Sequence, residues 1–223
     1  MILQRLKESL YFWRRHLAAL FMISAPFVVI GELFQWLAGP VIVNDADGRV
    51  VGFNAVSMLF LIVLRPLAEG ALIFQLSVIQ RGDGQGPWHS ILAAFMRFPY
   101  LLATYFLMAL AISVGWMLLF FPAFWVYARL CFAPFRVMLR GDTPFSALQT
   151  SFTRTGRCQW PLLAAILLAG LLVLGVAILT NSLLIGVIGD HPVVLLVASL
   201  VVSLAATLVN VVAFRFWTLH DQE

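Results

Sequence analysis

The chain has 223 residues, of which 62% are hydrophobic and 11% are charged, with a mean hydropathy of +0.99. Since soluble domains carry about 25% charged residues, this composition excludes a soluble globular protein and predicts one integral membrane domain over residues 1–223. The net charge of +4 therefore indicates basic residues at a membrane surface rather than a nucleic acid partner.

The apolar segments predict an all-α polytopic membrane protein with six transmembrane helices, arranged as three helical hairpins. Each segment is long enough to cross the hydrocarbon layer, which takes about 17 to 25 helical residues. The predicted spans are 16–38, 52–80, 99–121, 123–139, 160–186 and 192–219. A polar, turn-rich loop is expected over 39–50, between the first two spans.

A short amphipathic segment precedes each predicted hairpin, at residues 2–15, 87–98 and 144–157. Apolar side chains recur at helical spacing in all three, which is typical of helices lying in the headgroup layer. The apolar face of the first segment is Leu3, Leu6, Leu10, Trp13 and Leu17; that of the second is Trp88, Ile91, Leu92 and Phe95; that of the third is Phe145, Leu148 and Phe152.

The distribution of basic residues predicts the orientation. The loops on one side hold nearly all of them, whereas the opposite loops offer Arg49 alone. By the positive-inside rule both termini are cytoplasmic, and a bacterial inner (plasma) membrane is the expected location. The residues on the basic side are Arg5, Lys7, Arg14, Arg15, Arg81, Arg97, Arg136, Arg140, Arg154, Arg157 and Arg215.

Two Arg-Gly-Asp triplets, at 81–83 and 140–142, each end a predicted span and precede an amphipathic segment. Together with the plan of the first third, they suggest three parallel repeats over 1–81, 82–140 and 141–223. We expect Asp83 and Asp142 to start the helices that follow, because Asp is common just ahead of a helix.

A resemblance to a known family rests on apolar and turn residues in the middle of the chain. These are Phe121-Pro122, Ala133-Pro134, Gly141-Asp142, Phe145, Ala147-Leu148, Ser151-Phe152 and Thr155-Gly156. The pattern resembles the YciC-like family of bacterial inner-membrane proteins and the membrane domain attached to some glycerophosphodiester phosphodiesterases. It covers residues 66–170, with Pro122-Ala123 in place of the usual Pro-Gly. The resemblance implies a polytopic inner-membrane protein of a family without an established activity, and no functional residues carry over.

Four charged residues lie well inside the apolar spans: Glu32, Arg65, Glu69 and Arg129. At about 1.5 Å per residue, Glu69 and Arg129 lie roughly 16–18 Å from the cytoplasmic ends of their spans, and Glu32 and Arg65 roughly 22–24 Å. Because such charges need partners in the membrane, we hypothesise one buried network of all four. It is either structural glue between helices, the interpretation we favour, or a polar pathway for a proton, an ion or a headgroup.

Aromatic and basic residues beside the basic ends of the spans are candidates for contact with lipid headgroups. They are Trp13, Arg14, Arg15, Trp88, Arg97, Arg154, Arg157 and Trp160. The partners expected from them are membrane lipids, in particular anionic headgroups.

The sequence contains no Gly-x-Ser-x-Gly, Cys-x-x-Cys or His-Glu-x-x-His motif, so we expect neither an enzyme nor a cofactor or metal site. The leading hypothesis is a non-catalytic protein that organises lipid or envelope partner proteins through its cytoplasmic interfacial helices. The alternative is a small transporter or channel that uses the buried Glu and Arg residues. A water-filled cavity at Glu69 and Arg129 would discriminate the two.

Overall fold

The computed structural model describes residues 2–44, 49–118, 120–189 and 191–220. Within them the fold is all-α, apart from one short β-hairpin. The elements in chain order are α1 (Ile2–Arg15), α2 (Leu17–Ala38), β1 (Ile42–Asn44), β2 (Val50–Phe53), α3 (Ala55–Arg81), α4 (Pro87–Met96), α5 (Phe98–Leu118), α6 (Phe120–Leu130), α7 (Ala133–Phe135), a π-helical turn (Arg136–Arg140), α8 (Pro144–Arg154), a 3₁₀ turn (Thr155–Arg157), α9 (Gln159–Ile188) and α10 (Pro192–His220).

Five helices in the described part of the chain are long and apolar enough to cross a membrane: α2, α3, α5, α9 and α10. Each coincides with one of the predicted spans. This supports a multi-pass membrane protein, because a soluble fold could not cover so many long apolar helices. The three predicted amphipathic segments are the short helices α1, α4 and α8.

The predicted fourth span, 123–139, is not one continuous helix. Helix α6 ends at Leu130, Cys131 and Phe132 form a turn, and the chain continues through α7 and the π-helical turn. Pro134 explains the position of the break. Proline lacks an N–H, and its ring crowds the carbonyl four residues earlier, which here belongs to Leu130, the last residue of α6.

The predicted loop at 39–50 instead contains part of a hairpin, in which β1 and β2 pair antiparallel with Ile42 opposite Phe53. The hairpin leads into an N-cap at Asn54, whose side chain accepts from the N–H groups of Val56 (3.1 Å) and Ser57 (3.3 Å). Its amide group also donates to the Ala38 carbonyl at 2.6 Å. These bonds fix where α2 ends relative to where α3 begins.

The densest packing lies at one end of the fold, where α2, α5 and α9 begin and α3 and α10 end. The fourth residue of each of the three starting helices is a leucine that is 0% exposed: Leu20, Leu101 and Leu162. On α10, Phe214 is buried and stacks on Phe135, with ring centroids 6.1 Å apart. The core therefore sits beside the short helices α1, α4 and α8.

The two Arg-Gly-Asp triplets adopt the same backbone shape. Gly82 (φ 74°) and Gly141 (φ 77°) end their helical segments in the left-handed conformation, which glycine adopts without steric cost. A proline then occupies the first turn of the next helix, Pro87 in α4 and Pro144 in α8.

The expectation that Asp83 and Asp142 start those helices is wrong. The N-cap of α4 is Gly86 and that of α8 is Thr143. Asp142 instead forms an ion pair with Arg136, with 2.6 Å between Oδ2 and Nη2. The aspartate therefore holds the π-helical turn to the chain that follows it, because a charge-assisted bond of this length is among the stronger side-chain contacts.

Candidate functional site

Helix α4 has an unusual distribution of side chains between its two faces. Its small residues Ser90 and Ala94 are 0% exposed and face the bundle, and Ser90 donates to Oε1 of Gln75 on α3 at 2.7 Å. Large apolar residues cover the opposite face: Trp88 (75% exposed), Leu92 (58%), Phe95 (66%) and Met96 (76%). A helix on a soluble protein buries its large residues, so α4 has the reverse of that arrangement.

Helix α8 has a similar but weaker division, with small residues on its inner face and large ones on its outer face. Ala147 and Ser151 are 0% exposed against the bundle, while Phe145 (75%) and Phe152 (39%) lie on the outer side. Trp160, at the start of α9, is 54% exposed close by. Both helices thus dock through small residues and present aromatic ones outward.

Helix α1 differs from the sequence prediction. Leu6 and Trp13, which we placed on its lipid-facing side, pack against the core instead. Trp13 donates from Nε1 to Oγ1 of Thr207 at 2.9 Å, so α1 is bonded to α10. The exposed apolar side chains of α1 are Leu10 (37%) and Tyr11 (68%); the side chain of Leu3 lies outside the described residues.

The predicted headgroup-contacting arginines fall into two groups. Arg14, Arg15 and Arg154 are exposed. Arg97 is not a surface residue of this kind, because its Nη1 donates to the carbonyls of Val137 (2.7 Å) and Met138 (3.0 Å). It joins the end of α4 to the π-helical turn. The side chain of Arg157 lies outside the described residues.

Of the four membrane charges, the structure brings together Arg65 and Glu69. Nε of Arg65 lies 3.0 Å from Oε1 of Glu69, one turn further along α3. The Arg65 side chain is 80% exposed on the outside of the bundle and that of Glu69 is 22% exposed. Glu69 also accepts a hydrogen bond from the hydroxyl of Tyr105 on α5. This cluster is electrically neutral and links α3 to α5.

Glu32 lies in a separate contact. It accepts from the hydroxyl of Ser199 on α10 at 2.5 Å, so it joins α2 to α10. A hydrogen bond to a hydroxyl partly satisfies a carboxylate inside the bundle, where the group would otherwise be costly.

Arg129 lies in a third contact, at the end of α6. Its Nη1 donates to the Phe152 carbonyl of α8 at 2.8 Å. Its Cζ lies 5.1 Å from the ring centroid of Trp125 and 5.0 Å from that of Phe152, within the range of cation–π attraction. Within the described part of the chain, aromatic faces and a carbonyl therefore stabilise this charge.

The predicted single network of four charges is thus wrong for the described residues, which place these groups in three separate contacts. The depth estimate used distance along each helix but not which face a residue occupies. Two partners were missed, Tyr105 and Ser199. A tyrosine inside an apolar span is a signal in its own right, because a buried hydroxyl needs a partner.

Comparison with known proteins adds nothing to this geometry: no family model, no curated protein and no solved structure matches the chain.

Proposed function

We propose that this chain is a non-catalytic protein of the bacterial inner membrane that organises lipid at the cytoplasmic surface through α1, α4 and α8, which we name the interfacial collar. The observation that carries the proposal is the outer face of α4, where Trp88, Leu92, Phe95 and Met96 are each at least 58% exposed. Such a face needs an apolar neighbour. Helix α4 connects α3 to α5, two of the long apolar helices, so in a membrane its outer face would lie against lipid.

The apolar area on the outer face of α4 favours lipid as that neighbour. Removing a large apolar side chain from water contributes about 1.5–3 kcal/mol, so the four residues of α4 would anchor it firmly in the layer between headgroups and acyl chains. Contiguous exposed apolar patches are rare on soluble proteins and mark interaction sites. The small residues on the inner face let α4 lie close to α3 at the same time.

Charge supports a preference for anionic lipid. Arg14 and Arg15, at the end of α1, are exposed beside the start of the span α2. A basic residue at an anionic surface contributes about 1 kcal/mol, so this pair would enrich anionic headgroups around the collar. Envelope partner proteins remain a further class of partner that the same surface could recruit.

The proposal includes six crossings with both termini cytoplasmic. The segment from α6 to the π-helical turn, residues 120–140, would be a broken fourth crossing beside α5. The main support for this orientation is the basic residues near the ends of the spans, with Arg49 alone on the other side. The resemblance to the YciC-like family agrees with an inner-membrane location.

The alternative, a small transporter or channel, keeps one supporting observation. Arg65, Glu69 and Tyr105 form a polar cluster within the span α3 and the neighbouring α5. Glu32 and Arg129 lie in other contacts, so the four residues do not outline one path. Lipid organisation is therefore the function that the geometry supports best.

The test is the composition of the lipid around the reconstituted protein. The full chain is placed in nanodiscs of equal phosphatidylglycerol and phosphatidylcholine, with bromine on the acyl chains of one lipid or the other, and tryptophan fluorescence is measured. We expect stronger quenching when the anionic lipid is brominated. Equal quenching by both lipids would overturn the proposed preference.

A matched pair of variants assigns the effect. Arg14→Gln with Arg15→Gln should bring the two quenching values together, because it removes two exposed charges from the collar. Arg49→Gln, on the predicted opposite side, should leave the difference unchanged. An equal loss in both variants would show that net charge alone attracts the lipid, against a role for the collar.

A further inference from the structure

A cavity of about 240 Å³ lies between α1 and the last turns of α3 and α10. Its polar lining comes from all three helices and includes Arg5 and Glu8 of α1, Gln80 of α3, and Arg215 and Thr218 of α10. It is separate from the outer face of α4 and from the three contacts of the membrane charges. It therefore calls for its own explanation.

Among the described residues, aromatic rings rather than carboxylates lie against the two arginines of this cavity. Cζ of Arg5 lies 5.1 Å from the ring centroid of Phe216, and Cζ of Arg215 lies 4.7 Å from that of Phe12. Stacking on a ring occupies the face of a guanidinium and leaves its edge, which carries the N–H donors, available for bidentate bonding.

The N–H donors along the edge of a guanidinium match the oxygens of a phosphate group. Guanidinium edges bind phosphate oxygens through paired, charge-assisted hydrogen bonds. Arg5 and Arg215 approach one cavity from different helices, and the Nη groups at the ends of the two side chains carry the donors that a phosphate there would use. A phosphate bound between them would supply acceptors to both side chains.

The same cavity also presents negative charge, which a simple anion would not use. Glu8 contributes a carboxylate to the lining, and among the described residues no ion pair joins it to either arginine. Gln80 and Thr218 lie in the last turns of α3 and α10, where helix C-termini carry partial negative charge. This side of the cavity favours a cation, in particular an ammonium group with N–H donors.

We propose that this cavity binds a phosphoethanolamine group, with the phosphate on Arg5 and Arg215 and the primary ammonium at Glu8. The inference rests on the proposed placement of α1 in the headgroup layer, which would bring the group to the cavity as the head of a phospholipid. A soluble phosphoethanolamine ester carries the same chemistry. The anionic preference assigned to Arg14 and Arg15 is a separate property, so either can fail alone.

The experiment measures binding of the first lipid molecule to the detergent-purified full chain by native mass spectrometry. Phosphatidylethanolamine, phosphatidylglycerol and phosphatidylcholine with identical acyl chains are compared. We expect phosphatidylethanolamine to bind at least about tenfold more tightly than the other two, since they lack a primary ammonium and lose its charge-assisted bond. Equal binding of the three lipids would overturn the proposal.

Variants separate the two ends of the ligand. Glu8→Gln should remove the preference for phosphatidylethanolamine and leave binding of phosphatidylglycerol unchanged. Arg215→Gln and, separately, Arg5→Gln should weaken binding of phosphatidylethanolamine by about tenfold or more, because each removes a guanidinium–phosphate contact. Lys7→Gln, an exposed basic residue on the same helix but outside the cavity lining, is the control and should bind as the unmodified chain does.

Glu8 is exposed, so its variant should fold even if an arginine variant does not. Retention of the preference in Glu8→Gln would contradict the proposal, as would full binding in both arginine variants. Competition with soluble O-phosphoethanolamine assigns the source. If the soluble ester displaces the lipid at equal concentration, the natural ligand is a soluble phosphoethanolamine ester. If it does not, the ligand is the lipid headgroup.

Discussion

Helix α3 and the segment from α6 to the π-helical turn both end in an Arg-Gly-Asp turn with a left-handed glycine. They differ in whether the helix before that turn is continuous. Helix α3 runs unbroken from Ala55 to Arg81 although it contains Pro66, whereas the later segment breaks after Leu130. The difference lies in what surrounds the freed backbone groups. At the break, Ser151 of α8 donates to the Arg129 carbonyl (2.8 Å) and accepts from the Phe132 N–H (3.2 Å).

The two regions differ because α8, through Ser151, bonds the backbone at the break. Thr155, just after α8, donates to the Ser151 carbonyl at 2.7 Å and to the Arg129 carbonyl at 3.3 Å. Irregular backbone at membrane depth is tolerated where protein groups satisfy it. Helix α4, beside the continuous α3, has four large apolar side chains exposed on its outer face, whereas α8 has two exposed phenylalanines and bonds the break through Ser151.

The largest effect should come from the close approach of α5 and α6. A Cβ at Gly115 would lie 2.9 Å from Cα of Ala123, which is backbone and cannot turn aside. We expect Gly115→Ala to lower the free energy of unfolding toward the top of about 1–3 kcal/mol, the usual cost of overpacking. Thermal melting of the detergent-purified protein, followed by size-exclusion chromatography, measures it.

Two other glycines provide the matched series. At Gly31, in the α2–α3 pair, a Cβ would meet a movable side-chain carbon of Leu61 at 3.2 Å, and at Gly170 it would meet nothing within 4 Å. Their alanine variants should melt within a few degrees of the unmodified protein. Equal destabilisation at Gly115 and Gly170 would show that α6 does not lie against α5 as described.

The next effect concerns the break itself. Ser151→Ala leaves a buried carbonyl and a buried N–H without this partner, so we expect a loss of about 1–2 kcal/mol in the free energy of unfolding. Ser90→Ala, at the α4–α3 contact, should cost less, because it removes one side-chain bond to Gln75. A greater loss for Ser90→Ala would reverse the comparison; the exposed Ser146 supplies a neutral control on α8.

Arg97 should contribute more to the stability of the protein than Arg81, the last residue of α3. Arg97→Gln removes donors from the carbonyls of Val137 and Met138 in the π-helical turn, at an expected cost of about 1 kcal/mol. Arg81→Gln, at the exposed end of α3, should change the melting temperature little. The two variants are compared in one detergent at one pH, and equal melting temperatures would show that the turn does not need the crosslink.

The smallest effects are expected for Arg129 and Arg65. Arg129→Lys should destabilise the protein modestly, because lysine lacks the flat guanidinium that lies over Trp125 and Phe152. Arg65→Lys keeps a positive charge beside Glu69, and should change the melting temperature less than Arg129→Lys does. The melting temperatures of the two variants, measured in one membrane mimetic, test this order. A lower melting temperature for Arg65→Lys than for Arg129→Lys would contradict it.

Sequence periodicity predicts the helices better than their contacts. Long apolar runs located α2, α3, α5, α9 and α10, and amphipathic spacing located α4 and α8, since both signals are local. The break after Leu130 was missed although Pro134 is visible, because proline is often tolerated in membrane helices and α3 shows the tolerated case. The partners of Glu32, Glu69 and Arg129 depend on helix rotation, which a hydropathy profile does not contain.

The central claim, that the outer face of α4 lies in lipid, can be tested with nitroxide labels at cysteines placed at positions 88, 92 and 95, compared with labels at Gly84 and Gln85 in the preceding loop. Cys131 and Cys158 are buried, and burial raises the pKa of the Cys158 thiol, so the unmodified chain should remain unlabelled. In liposomes we expect the labels on α4 to be accessible to oxygen and protected from a water-soluble nickel reagent, and the loop labels to show the opposite. Equal access of the nickel reagent to both sets would contradict the account.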